Sequence, residues 1–125
     1  MTGNEYQKLA MKTNDGGATN RVVRVIDNSS EYVNVGELLN GCLGLSGEIG
    51  EFNDMIKKWI FHERQLDIEH TKKELGDILW YIAIICHSFG WQMDDILQMN
   101  IDKLKARYPD GFSVEKSLYR DKNDV

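Results

Sequence analysis

The chain has 125 residues, with 20 Asp+Glu against 15 Lys+Arg and a formal net charge of −5. At about 150 residues per domain this reads as one domain with one core, and 42% hydrophobic with 28% charged residues excludes a disordered chain. The acidic balance excludes sequence-independent nucleic-acid binding, which needs Lys/Arg-rich faces, and one Pro with two Cys excludes collagen-like and disulfide-framework classes.

The longest apolar run, Ile78 to Cys86, is too short to span a bilayer. The start, MTGNEYQKLA, lacks the apolar stretch of a signal peptide. The expectation is a cytoplasmic protein with no membrane partner, in which Cys42 and Cys86 are reduced, buried small hydrophobes.

Glu5 to Thr13 predicts a short helix, with Asn4 as its N-cap. Gly16 and Gly17 mark a loop over 14–20. Arg21 to Ile26 (RVVRVI) is β-branched and predicts a short strand or an extended arm, paired with a second subunit if at all. Beyond Tyr32 the period changes. Leu38, Cys42, Leu45, Ile49, Phe52, Ile56 and Trp59 form an unbroken seam at spacings of 4 and 3, which predicts a long helix in a bundle. Gln65 to Asp67 breaks it, with Asp67 as the next cap. A further helix carries Leu75, Ile78, Ile82, Ile85 and Phe89 and ends at Gly90. Met93, Leu97, Ile101 and Leu104 define a fourth, capped by Asp94 or Asp95 and stopped by Pro109 and Gly111. The fold class is therefore all-α: an oligomeric helical bundle with four main helices per chain. The single domain fills 1–125, with a core of about 5–112 and a polar, loosely held tail over 113–125.

A residue advances ~100° round a helix. With the Leu45/Ile49/Phe52 seam at zero, Glu48 falls at roughly −70° and Glu51 at roughly −130°, with Met55, Lys58 and His62 on the same flank. On the next helix Glu74 falls at roughly −80° and Asp77 at roughly −140°, with His70 and Tyr81 beside them. Asn100, Lys103 and Arg107 share a flank of the fourth. Two edges thus offer paired carboxylates and a third offers Asn, Lys and Arg. Carboxylates gathered together repel unless a cation compensates. Hard oxygen ligands suit Mg²⁺ or Mn²⁺, and a Lys/Arg edge suits phosphate oxygens. Such pairs most often mark a solvated helix face. Here two of them tilt to the same side on consecutive helices. Gly44, Gly47, Gly50 and Gly76 also sit inside helices at a cost of ~1 kcal/mol each against Ala, which points to close backbone approach or room for a ligand.

The stretches LGLSGEIGEFNDMIKK and KKELGDILWY, followed by KARYPDGF, resemble the MazG-type nucleoside triphosphate pyrophosphohydrolases, an all-α family with a Glu-x-x-Glu pair on one helix and Glu-x-x-Asp on the next. The resemblance covers about 5–112. It implies Mg²⁺-dependent hydrolysis of NTP or dNTP to the monophosphate and pyrophosphate, in a homodimer or homotetramer. It makes Glu48, Glu51, Glu74 and Asp77 the metal ligands. Lys103 and Arg107 become phosphate contacts, with Lys58 a further candidate on the Glu51 flank. Tyr81 would line the nucleotide pocket, and Asn40 and Asn100 become candidate contacts to base or sugar. Some relatives carry Lys where this chain has His70, so a contact from His70 would depend on pH. Glu51 is the carboxylate expected to orient or deprotonate the water that attacks the α-phosphorus.

Trp59, Trp80 and Trp91 read as core or interface aromatics, with Trp80 on the face opposite Tyr81's pocket edge. His62 and His87 are lone histidines. A di-metal redox bundle would need Glu-x-x-His, which the chain lacks. A non-catalytic oligomeric helical module, binding metal, nucleotide or another protein, is the alternative.

Overall fold

The structure is a computed structural model that describes residues 1–119. All of its regular structure is helical: α1 (Gly3–Ala10), a 3₁₀ turn (Met11–Thr13), α2 (Ala18–Ser29), α3 (Val35–Phe61), α4 (Ile68–Phe89), α5 (Met93–Arg107) and α6 (Val114–Leu118). The four expected helices are present, and α2 and α6 are additional.

The RVVRVI segment is helical, not extended. A lone strand would leave its backbone N–H and C=O groups unpaired, whereas a helix pairs its own. That gain outweighs the modest helix penalty of β-branched residues. Val22, Val25, Ile26 and Ser29 then fall on one face. Asp15 secures the start: it accepts from Gly17 N–H and pairs with the Arg21 guanidinium, which holds its carboxyl below the usual range.

The caps differ from expectation in detail. Thr2, not Asn4, caps α1 in a reciprocal capping box with Glu5. Asn34 caps α3 by accepting from Glu37 N–H, and Asp67 caps α4 by accepting from His70 N–H, as its position predicted. Gly90 ends α4 at φ 70°. Its N–H reaches His87 O, and Trp91 N–H reaches Cys86 O, a Schellman motif. Asp94 and Asp95 lie in the first turn of α5, whose N-cap is Gln92. Within the expected loose tail, Ser113 caps the short α6; residues 120–125 lie outside the described residues.

The tertiary packing is carried by α3 against α4. They run antiparallel: Glu37 meets His87, Gly41 meets Ile85, Gly44 meets Tyr81, and Glu48 meets Glu74 and Asp77. The far end is tied by Asn34 N–H to Ser88 O at 2.8 Å and by Glu37 to His87 Nδ1 at 2.8 Å. The contact stripe is not centred on the apolar seam of α3 but on the flank beside it: Gly41 is buried, the seam residues Leu38, Leu45, Phe52 and Ile56 are half-buried, and Cys42, Ile49 and Trp59 of the same seam are exposed. The reason is close approach. A Cβ on Gly41 would stand 2.6 Å from Ile85 Cγ1, so only glycine admits α4 at this distance. Cys86 is buried as expected, but Cys42 is turned outward.

That rotation leaves much apolar surface open. Leu39 and Leu43 beside the α3 seam, Leu75 and Leu79 of α4, and Leu97, Ile101 and Leu104 of α5 are exposed, while Ile78, Ile82, Ile85 and Phe89 of the α4 seam are half-buried. Cys86 is the one buried apolar side chain among the described residues. The accessible surface is 10470 Å², against about 6,800 Å² for a folded monomer of this mass. No helix among the described residues is long and apolar enough to cross a membrane.

Candidate active site

The site lies on α3 and α4, near the connection between them. Antiparallel packing in the register set by Gly41 and Gly44 places Glu48 opposite Glu74 and Asp77. One oxygen from each of these three carboxylates lies within 4.8 Å of the others. Glu74 is only 9% exposed. Glu48 Oε2 and Glu74 Oε2 are both sealed from solvent, and no N–H or hydroxyl donor of the chain reaches them.

Buried acceptor oxygens without donors are costly, and three carboxylates this close repel. The strain appears in the protonation of the pair. Glu48 is pushed up to about 7, first by sharing a proton with Glu74, then by burial and by the charges of Glu51, Glu74 and Asp77. Glu74 is held below the usual range, first by the hydrogen bond from Glu48 and then by His70, whose Nε2 lies 2.9 Å from Glu74 Oε1. A divalent cation would supply what the orphaned oxygens lack, and an all-carboxylate donor set suits a hard ion. The cluster is therefore chemically fit to hold a metal ion.

Of the four expected ligands, Glu48, Glu74 and Asp77 come together. Glu51 is exposed at the rim, near enough to raise Glu48 electrostatically and to hydrogen-bond Glu74. Tyr81 stands where expected, one turn beyond Asp77. An open pocket of about 380 Å³ is lined by Glu48, Asp77, Trp80 and Tyr81. Trp80 departs from its expected place: it shares this pocket with Tyr81 instead of facing away from it. Gly44 draws Tyr81 in against α3, so the pocket opens across both adjacent rings. This contribution was missed because 100° separates the two positions on a helical wheel, which does not show how wide the opening is.

The remaining candidates lie apart from the pocket lining. Lys58 Nζ pairs with Asp54 at 2.6 Å and, with Lys57, lowers that carboxyl. His70 turns to Glu74. Asn40 and Asn100 are exposed. Lys103 and Arg107 are half-buried on α5, which has no extensive packing against α3 or α4 among the described residues, and the Arg107 guanidinium lies 5.9 Å from the Tyr108 ring centre. Of the in-helix glycines, Gly44 makes the expected close approach, and Gly47, Gly50 and Gly76 face open space.

Fold and site together define an all-α protein with a carboxylate centre between two antiparallel helices, beneath an aromatic-walled pocket. The description of the MazG nucleotide pyrophosphohydrolase domain matches residues 38–112, and the chain belongs to that family. The match takes in α3, α4 and α5. "Gene 37 protein" of Mycobacterium phage L5 is 31% identical over 70 residues, covering 52% of this chain and 60% of that protein. The chain thus spans less than two thirds of that relative's length. No solved structure matches.

Proposed function

We propose that the chain, as one domain over 1–125, hydrolyses nucleoside or deoxynucleoside triphosphates to the monophosphate and pyrophosphate. The observation that carries this reading is the cluster of Glu48, Glu74 and Asp77, with two buried oxygens that no N–H or hydroxyl donor reaches, beside an open pocket that Glu48 and Asp77 line. Mg²⁺ is the fitting ion and Mn²⁺ a substitute. When bound there, the ion would polarise the phosphorus under attack and neutralise triphosphate charge.

The chain's own groups do the rest. Glu51, at the rim and not enclosed in the cluster, orients a water and takes its proton. The water oxygen bonds to the α-phosphorus, the bond to the bridging oxygen breaks, and pyrophosphate leaves with that oxygen. Tyr81, held against α3, walls the nucleotide. Lys103 and Arg107 compensate the β and γ charges.

Those cations lie on a helix whose apolar stripe is open, so the reading needs α5 to be docked by assembly. The surface in excess of a folded monomer is about 3,600 Å² per chain, enough for an obligate interface. A homodimer or homotetramer covers it by matching the exposed apolar faces of α3, α4 and α5 between copies. A cytoplasmic location fits two free thiols and a nucleotide substrate.

The test is release of pyrophosphate and orthophosphate from each NTP and dNTP, with Mg²⁺, Mn²⁺ or EDTA. Cation-dependent pyrophosphate release with monophosphate as co-product supports the reading. Orthophosphate release moves the attack to another phosphorus. A folded protein that releases neither refutes the reading and leaves a non-catalytic binding module.

A further inference from the structure

Trp80 keeps 56% of its surface exposed while lining the pocket beside the carboxylates. Its ring and that of Tyr81 meet edge to face, with centres 5.1 Å apart and planes at 86°. Tyr81 is itself pinned, because its ring rests on Gly44. In an edge-to-face pair at most one face of either ring is used. At least one face of the indole is therefore not taken up by Tyr81, and more than half of the residue's surface is open to solvent.

The chemistry of the lining narrows the ligand. Glu48 and Asp77 are committed to the cation end of the pocket. The remaining lining side chains are two aromatic rings, with a phenol and an indole N–H as their polar atoms. Among the described residues of the single chain, no amide or guanidinium lines this part to read the edge of a base. A planar π-system is what such a wall recognises, and a nucleoside triphosphate carries one at the end away from its phosphates.

We propose that Trp80 is the nucleobase-stacking wall of this site, so that bases are accepted by face and ranked by ring area, purines above pyrimidines. The proposal rests on the pyrophosphohydrolase reading. Every base has a π-face, and stacking on an aromatic side chain is sequence-tolerant.

The experiment compares wild type, Trp80→Ala and Trp80→Phe on purine and pyrimidine triphosphates, with inorganic tripolyphosphate as a base-free competitor. For Trp80→Ala, KM should rise roughly tenfold on purine substrates and less on pyrimidines. The kcat, the inhibition by tripolyphosphate and the oligomeric mass should be unchanged, and Trp80→Phe should recover most of the loss. Equal weakening of nucleotides and tripolyphosphate, an unchanged KM, or a changed oligomeric mass would overturn the proposal. A second measurement separates the site from the reaction. In a Trp59→Phe, Trp91→Phe background, base-bearing nucleotide should quench Trp80 emission and tripolyphosphate should not. Quenching without pyrophosphate release would refute the reaction and retain the stacking wall. Turnover without quenching would do the reverse.

Discussion

The ring of Tyr81 rests on the backbone of Gly44: a Cβ at position 44 would stand 2.0 Å from Tyr81 Cε1 and 2.4 Å from Cζ. This contact, together with that of Gly41 on Ile85, sets the spacing of α3 and α4, and with it the spacing of the carboxylates one turn away. Gly44→Ala should destabilise the fold by about 1–3 kcal/mol through overpacking. Gly47→Ala, with open space around it, should stabilise α3 by up to about 1 kcal/mol. Urea unfolding of both variants checks the contrast. A loss at Gly47 as large as at Gly44 would mean that a second chain approaches there.

Glu48→Gln and Asp77→Asn each remove a charge from the three-carboxylate cluster without changing its volume. Both should abolish pyrophosphate release and the rise in Tm that Mg²⁺ gives the wild type, while circular dichroism stays helical. Near-wild-type turnover in either variant would remove that residue from the metal site.

The Glu48–Glu74 pair predicts a pH dependence of stability in EDTA. Glu48, raised to about 7 from 4.5, binds a proton in the folded chain at pH values where the unfolded chain has lost it. Its contribution is present below about 4.5 and is lost as pH rises toward 7. Glu74 is shifted down, so its contribution is lost only as pH falls below the ordinary carboxylate range. Apo-protein Tm should therefore decline between about pH 5 and pH 7.5. The added Tm from Mg²⁺ should grow over the same interval, as Glu48 gives up its proton. A flat apo profile by scanning calorimetry would show that the two carboxyls do not share a proton.

Lys103 and Lys58 separate the two candidate phosphate edges. Lys103→Ala should raise KM for triphosphates with stability little changed. Lys58 is paired with Asp54 at an exposed site, where such bridges are worth about 0–1 kcal/mol. Lys58→Ala should leave both Tm and KM close to wild type. Steady-state kinetics on the two variants decides which lysine meets phosphate.

Leu43 and Leu79 are 75% and 56% exposed, and exposed apolar surface of this extent needs covering. Sedimentation equilibrium should give a dimer or tetramer. Leu43→Glu should lower that mass or cost several degrees of Tm. A stable monomeric wild type would overturn the assembly reading.

Much of the site was legible before the structure. Glu48 with Glu51 and Glu74 with Asp77 sit at i, i+3 on periodic helices, and both the pairing and the side to which it tilts follow from 3.6 residues per turn. Asp67 and Gly90 announced the two ends of α4 through cap chemistry that acts within a few residues. The long helices were legible because their seams repeat over many turns. RVVRVI was misread because β-branching signals a strand only where a partner strand exists to pair its backbone.

The sequence by itself determined the helices, the two carboxylate pairs and the glycines beside them, because these depend on local periodicity and chemistry. Only the tertiary structure decided that α4 packs centrally on the Gly41–Gly44–Glu48 flank, with the apolar seam of α3 to one side and only half-buried. It likewise decided that Glu51 stays at the rim, that Cys42 faces out and that Trp80 joins the pocket. The first three follow from the rotation of α3 about its own axis, and the last from the close seating of Tyr81 of α4 on Gly44. Close approach at two glycines sets that rotation, and it is a property of two helices meeting that neither helix carries alone.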